Sequence, residues 1–147
     1  GILGLNCASK ASEVLCSDSN EYVDEVFDKC ADSLPEGVKD KVFFENLPAD
    51  EAVQEGQCDD AQVLIVDPPR RGLDKGVIDL LTKKKEDSLT VATELKRLIY
   101  ISCGFEALER DSRELLSNGW NITSADGYVM FPGSNHIETV AVFDKIK

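Results

Sequence analysis

Three observations predict an α/β domain with a mostly parallel sheet. Short β-branched runs alternate with amphipathic helical segments, the runs end abruptly at Asp, Pro or Gly, and only the C-terminal segment offers two strand-like runs separated by a turn signal. At 147 residues and 42% hydrophobic, the chain is expected to form a single domain with a sizeable core.

Residues 13–17 (EVLCS) are the first expected strand. Asn20 then caps a helix with Glu21 in its first turn. Val23, Val26, Phe27, Cys30 and Leu34 fall on one face of it, and Pro35 and Gly37 end it, so Cys30 is expected in the core. Residues 41–45 (KVFFE) and 62–66 (QVLIV) are two more strands. The second, almost wholly aliphatic, is expected at the centre of the sheet and is stopped by Pro68 and Pro69. A helix follows from about residue 75 to 84, then a polar KKKEDSLTVATE stretch expected as a loop or exposed helix extension, then a strand over 97–102. Leu108, Leu115 and Leu116 line a last helix that stops at Gly119. The segment ITSADGYVMFPGSNHIETVAVFDK is a hairpin turning at Pro-Gly-Ser-Asn, which predicts one antiparallel edge strand.

Composition excludes several classes. A formal net charge of −12 disfavours a broad nucleic-acid surface, so any RNA contact needs a local basic patch or another domain. The candidates are Arg70 with Arg71, Lys83 to Lys85, and Arg110 with Arg113. Five cysteines are an odd number, carry no C-x-x-C and accompany a single histidine, His136. No disulfide framework and no metal site is expected, and the compartment is expected to be reducing and intracellular. No window is apolar enough to span a bilayer. No secretory signal starts at Gly1, and the missing initiating Met suggests a fragment or processed product.

In open α/β sheets ligands sit at the carboxyl ends of strands, and four such positions are chemically loaded here. Asp18 stands where a ribose hydroxyl is held, or is a loop acid competing with Asn20 for the helix cap. Asp67 leaves its strand through two prolines that fix an extended, rigid exit suited to substrate binding; an Asp-Pro turn is the plainer alternative. Cys103 lies between a strand end and a helix N-terminus, with Arg110 and Arg113 further along, a setting that favours thiolate. Glu138, with His136 as its competitor, is the base candidate beside the hairpin loop. A cysteine paired with a carboxylate base suggests conjugate addition to an activated ring, after which the base removes a carbon-bound proton. Upstream, GILG ending in Gly4 fits the last half of a glycine-rich cofactor turn.

DPPRRGLD, YISCGFEALERDSREL and FPGSNHIETVAVF, in this order and separation, resemble the catalytic domain of the RNA 5-methyluridine methyltransferase family. The resemblance implies the class I methyltransferase fold, a Rossmann-like α/β sandwich, with S-adenosylmethionine as cofactor, and methylation of carbon 5 of a flipped-out uridine in tRNA or rRNA. It implies Cys103 as the nucleophile adding to carbon 6 and Glu138 as the base taking the carbon 5 proton. Asp67 then touches the uracil and borders the cofactor, with Arg70 and His136 on the substrate side. Gly1, Gly4 and Asp18 fall on the cofactor side.

The family reads S-C-N-P where this chain has S-C-G-F, so a more mobile nucleophile loop is expected. It has a Gly-Asp pair where Leu47 and Pro48 stand, which removes an adenine-side contact. The strand and first glycine of the cofactor loop are absent from the sequence, as is the family's N-terminal RNA-binding region, so weak or no catalysis is expected from these residues alone. The alternatives are an exocyclic-amine methyltransferase, against which Arg70 stands in place of a stacking aromatic, and a non-catalytic interaction module.

Overall fold

The computed structural model describes residues 1–82, 94–134 and 136–146, and the polar stretch expected as a loop falls almost wholly outside them. The chain divides into two compact units, Gly1–Glu55 and Gly56–Lys147.

In the first unit the order is α1 (Ile2–Cys7), β1 (Val14–Ser17), α2 (Val23–Asp32), β2 (Val42–Glu45) and α3 (Ala49–Gln54). β1 and β2 pair in parallel, from Val14 opposite Val42 to Ser17 opposite Glu45. Parallel neighbours need a crossover, and α2 supplies it. Phe27 is buried and stacks on Phe44 of β2 with ring centroids 4.7 Å apart.

Val26 and Cys30 are exposed, which corrects the expected core position of Cys30. At roughly 100° per residue both lie to the same side of Phe27, so the contact sits off the centre of the apolar stripe. Asn20 accepts a 3.0 Å hydrogen bond from the Tyr22 amide, closing the turn before α2 instead of capping the helix itself.

The second unit holds β3 (Val63–Val66), α4 (Lys75–Thr82), β4 (Arg97–Ser102), α5 (Phe105–Ser117), β5 (Trp120–Tyr128) and β6 (Glu138–Lys145). Its sheet runs in the order β3-β4-β6-β5, with β3 parallel to β4 and β6 antiparallel to both β4 and β5. Two expectations change here. The antiparallel strand is not at the edge, because β6 inserts between β4 and β5 and leaves β5 outermost. Its alternating Thr139, Ala141 and Phe143 side chains are all buried, whereas β5 is exposed after Trp120. The aliphatic β3 pairs only with β4 among the described residues, and Val63 is 50% exposed.

Leu98 and Tyr100 of β4, Leu80 and Leu81 of α4, Leu115 of α5 and Trp120 form the core with Ala141 and Phe143. The Trp120 indole donates a 2.8 Å hydrogen bond to the Leu81 carbonyl, satisfying its polar atom inside that core. Leu116 points outward. Gly119, at φ +84°, turns the chain from α5 into β5.

Candidate active site

Strand register brings the second unit's three candidates to one end of its sheet. The β4–β6 ladder closes on Ser102 opposite Thr139, both buried. Cys103 follows Ser102 and Glu138 precedes Thr139, both half-buried, so continuing the register by one step would carry them to the face of the Ile101–Val140 and Ile99–Val142 pairs. In the parallel β3–β4 ladder Val66 faces Tyr100, so Asp67 is level with Ile101 and falls on that same face. Asp67, Cys103 and Glu138 thus lie at the same end of the sheet, where β3 and β4 end and β6 begins.

The loop between Asp67 and α4 is tied down. The Gly72 amide donates to the Pro69 carbonyl at 2.8 Å, a turn that puts Gly72 at φ +91°, where a side chain would be strained. The buried Asp111 carboxylate accepts from the Leu73 amide at 2.9 Å and from the Tyr100 hydroxyl at 2.8 Å. Burial, and then the neighbouring carboxylate, push the Tyr100 phenol well above its ordinary value, which keeps it the donor. The chain's Asp111 was not among the residues singled out. Its position in the stripe of Ala107, Leu108 and Leu115 was the available signal.

The Cys103 turn is held as well. Ser102 Oγ accepts from the Gly104 amide at 3.1 Å and donates to the Gly104 carbonyl at 3.0 Å. A Cβ at Gly104 would stand 2.8 Å from the Arg70 carbonyl oxygen, so glycine is what lets the Asp67 loop come this close. The expected looseness of S-C-G-F is therefore countered by two hydrogen bonds and a backbone contact.

Of the candidate basic patches, Arg113 pairs with Glu109 at 2.7 Å, Arg71 with Asp74 at 2.9 Å and Arg110 with Asp111 at 2.7 Å. Arg70 is exposed and its guanidinium has no partner among the described residues. Lys83 to Lys85 lie outside them. His136 is exposed in the β5–β6 loop, with its backbone amide 3.3 Å from Ser134 Oγ.

The first unit carries the other set. A Cβ on Gly4 would run into Cys16 Sγ and the Val14 side chain, and one on Gly1 would enter the Phe27 ring. Such close helix-to-strand packing is what the glycines of a nucleotide-cofactor turn provide. Asp18 lies just past β1. Its Oδ1 accepts from the Asn20 amide at 2.9 Å, and its carbonyl accepts from Asn46 Nδ2 at 3.0 Å. Asn46, which sequence reasoning missed, thereby ties the end of β2 to the acid. The glycines and this carboxylate fit a ribose-bearing cofactor. Among the described residues no group of three His, Cys, Asp or Glu side chains could hold a metal ion, and no helix is long and apolar enough to cross a membrane.

The fold is that of class I methyltransferases. The structure of M. capricolum TrmK in complex with S-adenosyl-homocysteine superposes with a TM-score of 0.69 at 13% identity, over 99% of this chain and 57% of that one. The tRNA (uracil-5-)-methyltransferase family profile matches residues 29–146, and the chain belongs to that family. An uncharacterized RNA methyltransferase of Protochlamydia amoebophila is 35% identical over 99% of this chain and 35% of its own length. The 23S rRNA (uracil(1939)-C(5))-methyltransferase RlmD of Vibrio vulnificus is 33% identical over 99% of this chain and 31% of its own. The chain thus spans about a third of these relatives.

Proposed function

We propose that the protein carrying this chain methylates carbon 5 of a uridine in tRNA or rRNA through a covalent adduct on Cys103. The observation that carries this reading is the convergence of Asp67, Cys103 and Glu138 on one face at one sheet end. A nucleophile, an acceptor-only carboxylate and a second carboxylate there match a pyrimidine ring that must be held, attacked and deprotonated.

The Cys103 thiolate adds to carbon 6, and the displaced electron pair makes carbon 5 nucleophilic. S-adenosylmethionine, which Gly1, Gly4 and Asp18 are assigned to hold, would supply the electrophilic methyl group to carbon 5 and leave as S-adenosylhomocysteine. Glu138 takes the carbon 5 proton, the electron pair re-forms the ring double bond, and the carbon 6 to sulfur bond breaks to return the thiolate. Asp67 accepts from the ring N–H, which orients the uracil. To reach this face the base must leave its stack, and Arg70, exposed and with no guanidinium partner among the described residues, is the side chain we assign to a phosphate. With a net charge of −12 on this chain, we assign further RNA contacts to the remainder of the protein. Five free cysteines support an intracellular location.

The test uses the whole natural protein with S-adenosylmethionine and RNA carrying 5-fluorouridine. Fluorine cannot leave as a proton, so the enzyme stalls as a covalent protein–RNA species that Cys103→Ala abolishes. Cofactor binding without any adduct would sink the mechanism.

A further inference from the structure

Asp111 is 3% exposed, on a helix that otherwise turns its charged residues outward. A buried carboxylate is costly unless it is fully hydrogen-bonded, and this one is. Oδ2 takes the Leu73 amide and the Tyr100 hydroxyl; Oδ1 takes Arg110 Nε at 3.0 Å and Nη2 at 2.7 Å. The same Nη2 also donates to the Arg71 carbonyl at 2.8 Å. Two adjacent side chains on α5 therefore grip the Asp67 loop, Asp111 at the Leu73 amide and Arg110 at the Arg71 carbonyl, and Asp111 is itself anchored on Tyr100 of β4, the strand that leads into Cys103.

The fit is tight from both sides. At Gly72 a Cβ would stand 2.5 Å from both Asp111 Oδ2 and Arg110 Nη2, and at Gly104 one would stand 2.8 Å from the Arg70 carbonyl oxygen. The loop is held between the Asp111 carboxylate and the nucleophile turn, with glycine at each contact. No hydrogen bond or ion pair among the described residues joins Asp67 to Cys103 directly; the β3–β4 ladder brings their strand ends side by side, and these contacts hold the loop beyond it.

We propose that Asp111 is a positioning residue that fixes the distance between the uracil-orienting Asp67 loop and the Cys103 nucleophile. The catalytic part of this proposal rests on the uracil-5 methylation reading above. A displacement of about 1 Å between an orienting group and a nucleophile lowers rates by up to about a hundredfold, so a clamp of this kind belongs to the chemistry as well as to the fold.

The experiment is run on the whole natural protein with two readouts. Hydrogen exchange of the peptide covering residues 70–76 reports the clamp, and the rate of adduct formation on 5-fluorouridine RNA reports its chemical effect. Asp111→Ala is expected to speed exchange in that peptide about tenfold or more and to slow adduct formation at least as much. Exchange in the β4–β6 ladder should stay within about twofold of wild type. Asp111→Asn, which keeps an oxygen for Leu73 and Tyr100, is expected to restore most of the protection and part of the rate. Should Asp111→Ala not fold, Arg110→Ala on the exposed side of the helix removes two of the four bonds and the Arg71 contact, and is expected to move both readouts several-fold in the same direction. Exchange that rises equally across the unit, or an adduct rate unchanged by a loosened loop, overturns the positioning role. If wild type protects the loop as expected but forms no adduct, the clamp stands and the uracil-5 reading falls.

Discussion

Cys103 and Glu138 each adjoin the last rung of the β4–β6 ladder, the one next to Ser102 and the other next to Thr139. Opposed residues such as Ser102 and Thr139 have Cα atoms about 4.5 to 5.5 Å apart, so the residues that adjoin them are near enough to serve one pyrimidine ring. Their roles are separable, because addition needs only the thiolate whereas release needs the base. Glu138→Gln is therefore expected to leave addition and methyl transfer in place and to trap unmodified uridine RNA as a covalent protein–RNA species. Denaturing gel electrophoresis with labelled RNA checks it; free methylated product at the wild-type rate would assign proton removal elsewhere.

Arg70 differs from Arg71, Arg110 and Arg113 in having no acidic partner among the described residues. A guanidinium used for one phosphate contributes to all RNA sequences alike and releases about one counterion. Arg70→Ala is expected to weaken RNA binding and to reduce the slope of log affinity against log salt by about 1. An unchanged slope in a fluorescence titration between low and high salt would remove Arg70 from the RNA surface.

Several elements around the candidate site were legible in the sequence, and the reasons differ by element. β4 was found at its observed bounds because Leu98, Tyr100 and Ser102 alternate with side chains of the opposite face, and the strand ends at a residue of recognisable chemistry. The interior place of β6 was not legible, since a hairpin's two strands can each pair with the sheet and only burial of Thr139, Ala141 and Phe143 distinguishes them. Cys30 was misplaced because helical periodicity defines a stripe, while the packing contact uses only the part of it at Phe27. Asp111 was passed over because an acid in RDSRE reads as surface. Its fully satisfied burial depends on Leu73 and Tyr100, 38 and 11 residues away in the chain.

Gly4 faces Cys16 and Val14 with no room for a methyl group. Overpacking a tight contact costs about 1 to 3 kcal/mol, met here by shifting α1 away from β1. Gly4→Ala is therefore expected to lower the stability of the first unit by that order. Because α1 carries the glycine turn, S-adenosylmethionine should also bind more weakly, with Cys103 left intact. Calorimetric titration of cofactor, read beside thermal unfolding, checks both. Unchanged affinity in a destabilised protein would separate the glycine from the cofactor.

The Cys58 thiol is buried, and desolvation, helped by the Asp59 charge, pushes its pKa from the ordinary 9.0 up to about 11. The folded state thus holds the proton more tightly than the unfolded state does. The resulting stability is fully present below pH 9 and is lost as pH rises from 9 towards about 11. Two pKa units correspond to about 2 to 3 kcal/mol across that window. At pH 8 Cys58→Ala is expected to be the less stable protein by about 1 kcal/mol, from lost burial. Its disadvantage should shrink by about 1 kcal/mol by pH 10, because the variant has no thiol to ionise on unfolding. Urea unfolding at pH 8, 9 and 10, followed by the fluorescence of Trp120 in the same unit, measures the difference, and the contributions of Tyr100 and Cys16 cancel between the two proteins. A gap that stays constant with pH would mean that Cys58 ionises as readily in the folded unit as in the unfolded chain.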